Sequence, residues 1–121
     1  VMTEVRTPVE IAVAFIEAFA RRDMVAVAAH LAENVVFESP RVTVRGAESF
    51  LQAVGQFAQA VTGVRIVSAL GDDREAMIMY DMETGPFGTL RSVDRIVVQD
   101  GKIISDILVF DTYEVRKATE G

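Results

Sequence analysis

The sequence predicts an α+β domain: an antiparallel sheet with three helices from the N-terminal half massed on one of its faces. Three observations predict it. Apolar residues at helical spacing are confined to the first half of the chain, β-branched segments fill residues 64–110, and short glycine- and aspartate-rich turns join those segments.

The first helix announces itself at Thr7-Pro8-Val9-Glu10. Thr7 can cap, Pro8 occupies the first helical position where a missing N–H costs nothing, and Glu10 completes a capping box. Ala12, Phe15, Ile16 and Phe19 then repeat at helical spacing, and Arg21-Arg22 suit the negative end of the helix dipole. Asp23 can cap a second, shorter helix through Ala32, with Val27, Ala28 and Leu31 inward. A third is expected from Ala47 to about Val61, with Phe50, Leu51, Val54, Phe57 and Ala58 on one face and Gly63 ending it. Val35 to Glu38 and Val42 to Arg45 read as short strands. Val64 to Leu70, Ala76 to Glu83, Thr89 to Val98 and Lys102 to Phe110 read as long ones, joined by Gly71-Asp72-Asp73, Gly85-Pro86-Phe87-Gly88 and Asp100-Gly101. Short turns between long strands imply an antiparallel meander. The whole chain, residues 1–121, reads as a single domain, with fraying expected at residues 1–6 and 116–121.

Composition narrows the chemistry. The 121 residues lack cysteine, which removes disulfides and thiolate chemistry, and a lone histidine, His30, removes the usual histidine-rich zinc clusters. No metal site is expected. A net charge of −6 without any basic concentration argues against nucleic acid. No apolar run reaches the roughly 20 residues of a membrane span. Val1 to Thr7 lack the apolar core of a signal peptide, so a cytoplasmic location is the default expectation. Seven phenylalanines and five methionines suit a core, or a pocket for an apolar molecule.

The element order and three phrases carry a resemblance. Arg22-Asp23 follows the first helix, Leu31-Ala32-Glu33-Asn34-Val35-Val36-Phe37 leads into the first strand, and Asp100-Gly101-Lys102-Ile103 precedes the last. Together they resemble the nuclear transport factor two-like superfamily, and within it the SnoaL-like and ketosteroid-isomerase-like proteins. That resemblance implies a cystatin-like, cone-shaped curved sheet with the three helices on its concave face around a pocket, and it spans isomerases, cyclases, dehydratases, epoxide hydrolases and non-catalytic binders. The isomerase residues mostly do not carry over. The family's base falls at Ser39 before Pro40, its first-helix tyrosine at Phe15, and its two supporting tyrosines at Leu31 and Val54; its second oxyanion-hole acid alone is matched, by Asp94. Ketosteroid isomerase activity is therefore not expected, because that chemistry needs a base and paired donors together. The epoxide hydrolase aspartate falls at Leu108, and the acid–base residue of SnoaL-like cyclases has its nearest counterpart in Asp106.

What remains is a pair of acids. By resemblance Ser92, Asp94, Ile96 and Val98 share the inner face. A three-residue hairpin loop at Gln99-Asp100-Gly101 sets Asp94 directly opposite Asp106, whereas a two-residue Asp100-Gly101 turn sets it opposite Ile107. Two facing carboxyls in an apolar wall cannot both ionise cheaply, so one holds a proton and the pair becomes an acid and a base. Asp94 and Asp106 are the candidate catalytic residues; Phe15, Ser39, Met77, Met79, Ser92, Leu108 and Phe110 are the candidate substrate-binding residues. Each also has a plain structural role open to it: an outward ion pair for the aspartates, a strand end for Ser39, core packing for the methionines and phenylalanines. The function expected is a cofactor-free enzyme performing isomerase, cyclase or dehydratase-type proton transfer on a small hydrophobic cyclic molecule. The alternative is a non-catalytic ligand-binding or dimerisation module. A homodimer is expected through the outer sheet face, at Val67, Ile78, Val93 and Val97.

Overall fold

A computed structural model describes residues 6–120. The first helix, α1 (Pro8–Ala20), starts as its capping box dictates: the Thr7 N–H donates to Glu10 Oε1 at 2.9 Å and the Glu10 N–H to Thr7 Oγ1 at 3.2 Å. Asp23 caps α2 (Met24–Ala29) by accepting the Ala26 N–H at 3.1 Å. This helix is shorter than expected, because Leu31 already belongs to β1 (Leu31–Glu38), where it pairs with Ile103. After β2 (Thr43–Arg45), α3 (Ala47–Ala58) stops before Val61, which opens β3 (Val61–Gly71). Gly63 therefore lies in a strand and not at a helix end. β4 (Glu75–Thr84), β5 (Gly88–Gln99) and β6 (Lys102–Phe110) follow as expected.

All six strands form one curved, unclosed sheet in the order β2-β1-β6-β5-β4-β3. Strands β3 to β6 form the antiparallel meander, but β1 joins β6 in parallel, an edge the hairpin signals could not reveal. Register shifts within β3 leave Thr62 and Val67 as extra residues, and such bulges bend a strand and increase its twist. Helices α1 and α3 fill the resulting concavity. Phe50 of α3 is fully buried between Phe15 of α1 and Phe37 of β1, with ring centroids 5.9 and 5.0 Å away and edge-to-face inclinations.

The C-terminus departs from expectation. Residues 116–120 do not fray but continue α4 (Tyr113–Glu120), whose Val115 is buried and whose Glu120 approaches Arg41. One inward valine on a helix of eight residues is a weak periodic signal, which is why the sequence pattern misses it. The other expected frayed segment, residues 1–6, lies outside the described residues except for Arg6.

Candidate active site

The phase of β4 decides which side chains face the helices. Ala76, Ile78, Tyr80 and Met82 are buried on the concave side, whereas Met77 is 53% exposed and Met79 pairs with Val93 on the outer side. Met77 and Met79 are therefore not pocket residues, and Ile78 is core and not an outer contact. The expectation was out of phase by one residue, and in a strand that exchanges the two faces entirely. Apolar residues on both faces of β4 removed the alternation that would have set the phase.

The hairpin between β5 and β6 also differs from expectation, and the difference is instructive. The turn is the two-residue Asp100-Gly101 form, both residues at positive φ (53° and 76°), with Gln99 paired to Lys102. That register alone would set Asp94 against Ile107 and split the acids between the two faces. A bulge at Ile104 shifts β6 by one more residue, so Asp94 pairs with Leu108 and Asp106 with Ile96. The aspartates are thus diagonal neighbours on the concave face, not directly opposed.

Their surroundings are unequal. Asp94 is 2% exposed and accepts a 2.6 Å hydrogen bond from the Tyr80 hydroxyl. Asp106 is 1% exposed, and no N–H or hydroxyl group among the described residues donates to its carboxyl oxygens; its polar neighbour is the Asp94 carboxyl, to which a protonated Asp106 can donate. Burial pushes the Asp106 carboxyl well above the ordinary carboxylate range, and the charge of Asp94 pushes it further the same way. Burial raises Asp94 as well, but interaction with the neighbouring Asp106 and the Tyr80 hydroxyl works against the rise. The Tyr80 phenol is itself driven well above its ordinary value, by burial first and then by Asp94, so it stays a proton donor. Tyr80 escaped notice in the sequence for the same reason as the methionines: the β4 phase put it outside.

A cavity of about 210 Å³ meets these groups. Phe15, Ile16, Phe37, Val54, Phe57, Leu108, Phe110 and Val115 give it an apolar wall, while Tyr80, Asp94 and Asp106 line it as polar groups. Its exposed lining residues, Arg41 and Val42, mark the end open to solvent. Of the candidate binding residues, Phe15, Ser39, Leu108 and Phe110 line this cavity. Ser92 is buried on the same face opposite Tyr80, but its hydroxyl donates to the Leu90 carbonyl at 3.3 Å and it is not among the lining residues. The Ser39 hydroxyl is occupied by its own loop, accepting the Arg41 and Val42 N–H groups at 3.2 and 3.1 Å. His30 sits at the end of α2, away from the cavity lining. No group of histidines and carboxylates suited to a metal ion occurs among the described residues.

A curved sheet closed by helices around an apolar cavity with buried acids places the protein among the pocketed cone-shaped α+β proteins. Residues 12–105 match the SnoaL-like domain, and the chain belongs to that family. Among solved structures it is similar to a Kribbella flavida protein at 28% identity and a TM-score of 0.90, with 94% of each chain covered. It is also similar to an NTF2-like protein from Cytophaga hutchinsonii (18% identity, TM-score 0.81, 94% of this chain and 98% of that one). An LEH-like epoxide hydrolase from M. tuberculosis shares the fold at 22% identity and a TM-score of 0.75, covering 92% and 87% of the two chains. No curated protein matches the chain. No helix among the described residues is long and apolar enough to cross a membrane.

Proposed function

We propose that this protein is a cofactor-free acid–base enzyme that moves a proton on a small hydrophobic cyclic molecule. The observation that carries the reading is the inequality of two fully buried carboxyls on one apolar cavity. Asp106, buried without a fixed donor and beside the Asp94 carboxyl, keeps its proton and presents it to a substrate oxygen. Asp94, held by the Tyr80 hydroxyl, is the base that accepts a proton from carbon. In an isomerisation, Asp94 takes the C–H proton while Asp106 protonates the developing oxyanion. Asp94 then returns its proton to a different carbon of the enol as Asp106 takes back the hydroxyl proton, so both acids end as they began. In a dehydration, the Asp106 proton leaves with the hydroxyl group as water. The cavity, larger than the roughly 150 Å³ that holds benzene but below the roughly 300 Å³ of drug-sized sites, suits a body of one or two rings.

Carbon-detected NMR titration of the two aspartate carboxyls tests this reading. The expected result is a coupled pair in which Asp106 titrates well above the ordinary carboxylate range and Asp94 below Asp106. Tyr80→Phe should move Asp94 upward by removing its donor. Two carboxyls titrating independently near the ordinary aspartate value of about 3.9 would end the catalytic reading and leave a binding module.

We also propose a cytoplasmic homodimer built on the outer sheet face. Leu70, Met77, Val67 and Val109 are 72%, 53%, 41% and 60% exposed there, and Met79 and Val93 lie between the strands that carry them. With Ile78 in the core, the informative substitution is Val109→Arg, which should shift a dimer to monomer in light scattering. A wild-type monomer at micromolar concentration removes the claim.

A further inference from the structure

The cavity's polar groups are divided by charge. Asp94 and Asp106 lie at its buried part, and Arg41 is the one basic side chain among the described residues that line it. Arg41 stands in the loop between β1 and β2, and that loop is fixed: the Ser39 N–H donates to the Val42 carbonyl at 2.8 Å, and the Ser39 hydroxyl holds the Arg41 and Val42 amides. Its side chain is 36% exposed and, among the described residues, meets a single carboxylate, that of Glu120 at the end of α4, at 3.7 Å. A charge-assisted hydrogen bond to a carboxylate runs to about 2.7–2.9 Å, so this contact is loose. Glu120 itself is 60% exposed and easily displaced.

We propose that the ligand is an amphiphilic carboxylic acid, its ring body in the apolar cavity and its carboxylate on Arg41 in place of Glu120. The inference rests on the reading of the cavity as a small-molecule site and adds the polarity and orientation of its occupant. Orientation follows from the two ends. A carboxylate pushed inward would meet two acids and no cation, whereas one left at the open end meets a planar guanidinium whose fork matches it. The ring then enters first, and the carbon to be deprotonated lies remote from the carboxylate. Arg41 determines specificity in this arrangement; it takes no part in proton transfer. Glu120 competes for the same cation, so that α4, which also contributes Val115 to the wall, is tied down in the empty protein and released at its tip by the ligand.

The test uses matched pairs of probes: phenylacetate, cyclohexylacetate and 1-naphthylacetate against their neutral carboxamides, titrated calorimetrically into the full chain. The wild type should bind the acids about tenfold more tightly than the amides, and added salt should narrow the gap. Arg41→Gln should abolish the preference, lowering acid affinity about tenfold more than amide affinity. Glu120→Gln should increase acid affinity, an effect that loss of a merely structural ion pair would not produce. Equal binding of acid and amide by the wild type, or a preference that survives Arg41→Gln, overturns the inference and leaves the cavity reading intact. Failure of every acid and every amide to bind overturns both.

Discussion

Strands β4, β5 and β6 carry buried acids on both faces of the same sheet, and the two faces treat them in opposite ways. On the convex side Asp81 is 6% exposed, yet it accepts two hydrogen bonds from Arg91, at 2.8 and 2.9 Å, and one from Arg65 at 2.8 Å. Arg91 first, and Arg65 after it, hold its carboxyl below the ordinary carboxylate range. On the concave side Asp106 is no better exposed, no cation or fixed donor among the described residues meets it, and burial beside the Asp94 carboxyl drives its own carboxyl upward. Burial alone therefore does not mark a site. An acid that is buried and satisfied serves the sheet, whereas an acid that is buried and starved is kept at a cost in stability that only a ligand or a reaction explains.

Replacing the starved acid should give the largest effect. Asp106→Leu removes an unsatisfied buried polar group beside a cavity with room for the branched side chain. It should raise stability by about 1–3 kcal/mol at neutral pH in denaturant unfolding. The wild-type pH profile should show the same term. Because the folded-state value of Asp106 lies above its unfolded value, its contribution is fully present below the ordinary carboxylate range. That contribution is lost as pH climbs through the raised value. Wild-type stability should thus decline across that window, and Asp106→Leu should flatten the decline. A destabilised Asp106→Leu protein would erase the distinction between the two faces.

The inequality between the acids is the part that sequence could not supply. Helix starts were legible because Thr7, Glu10 and Asp23 act on residues three positions away, and local rules suffice for them. The meander was legible because its turns are short. Facing was legible only where one side of a strand is polar. In β5, Arg91 and Arg95 alternate with Ser92, Asp94 and Ile96, and the inner set is correctly placed. In β4, apolar residues occupy both faces, so Tyr80 and the methionines exchanged sides. The shared face of Asp94 and Asp106 was reached by the wrong route, through a three-residue turn, when a two-residue turn plus the bulge at Ile104 produces it. Bulges leave little trace in a sequence, and one residue of slip inverts every assignment beyond it.

The convex acid should give the smaller effect and the opposite sign. Asp81→Asn leaves Arg65 and Arg91 close together without the carboxylate that neutralised both, so stability at neutral pH should fall. Its pH dependence also reverses. A folded-state value below the unfolded one means that the contribution is present above the ordinary carboxylate range. It is lost as pH falls through the lowered value, so the substitution should remove part of the acid-side decline. The effect stays modest because the arginine side chains are 69% and 60% exposed and water screens them, even though the carboxylate is covered. Salt separates this case from the concave one. Raising ionic strength toward 1 M, where the screening length is about 3 Å, should shrink the difference between wild type and Asp81→Asn. It should leave the gain from Asp106→Leu in place, since that gain comes from desolvation and not from long-range attraction. Thermal melts of the two variants at low and high salt read both effects. A salt-insensitive loss in Asp81→Asn would mean that its hydrogen bonds, and not its charge, hold the convex face.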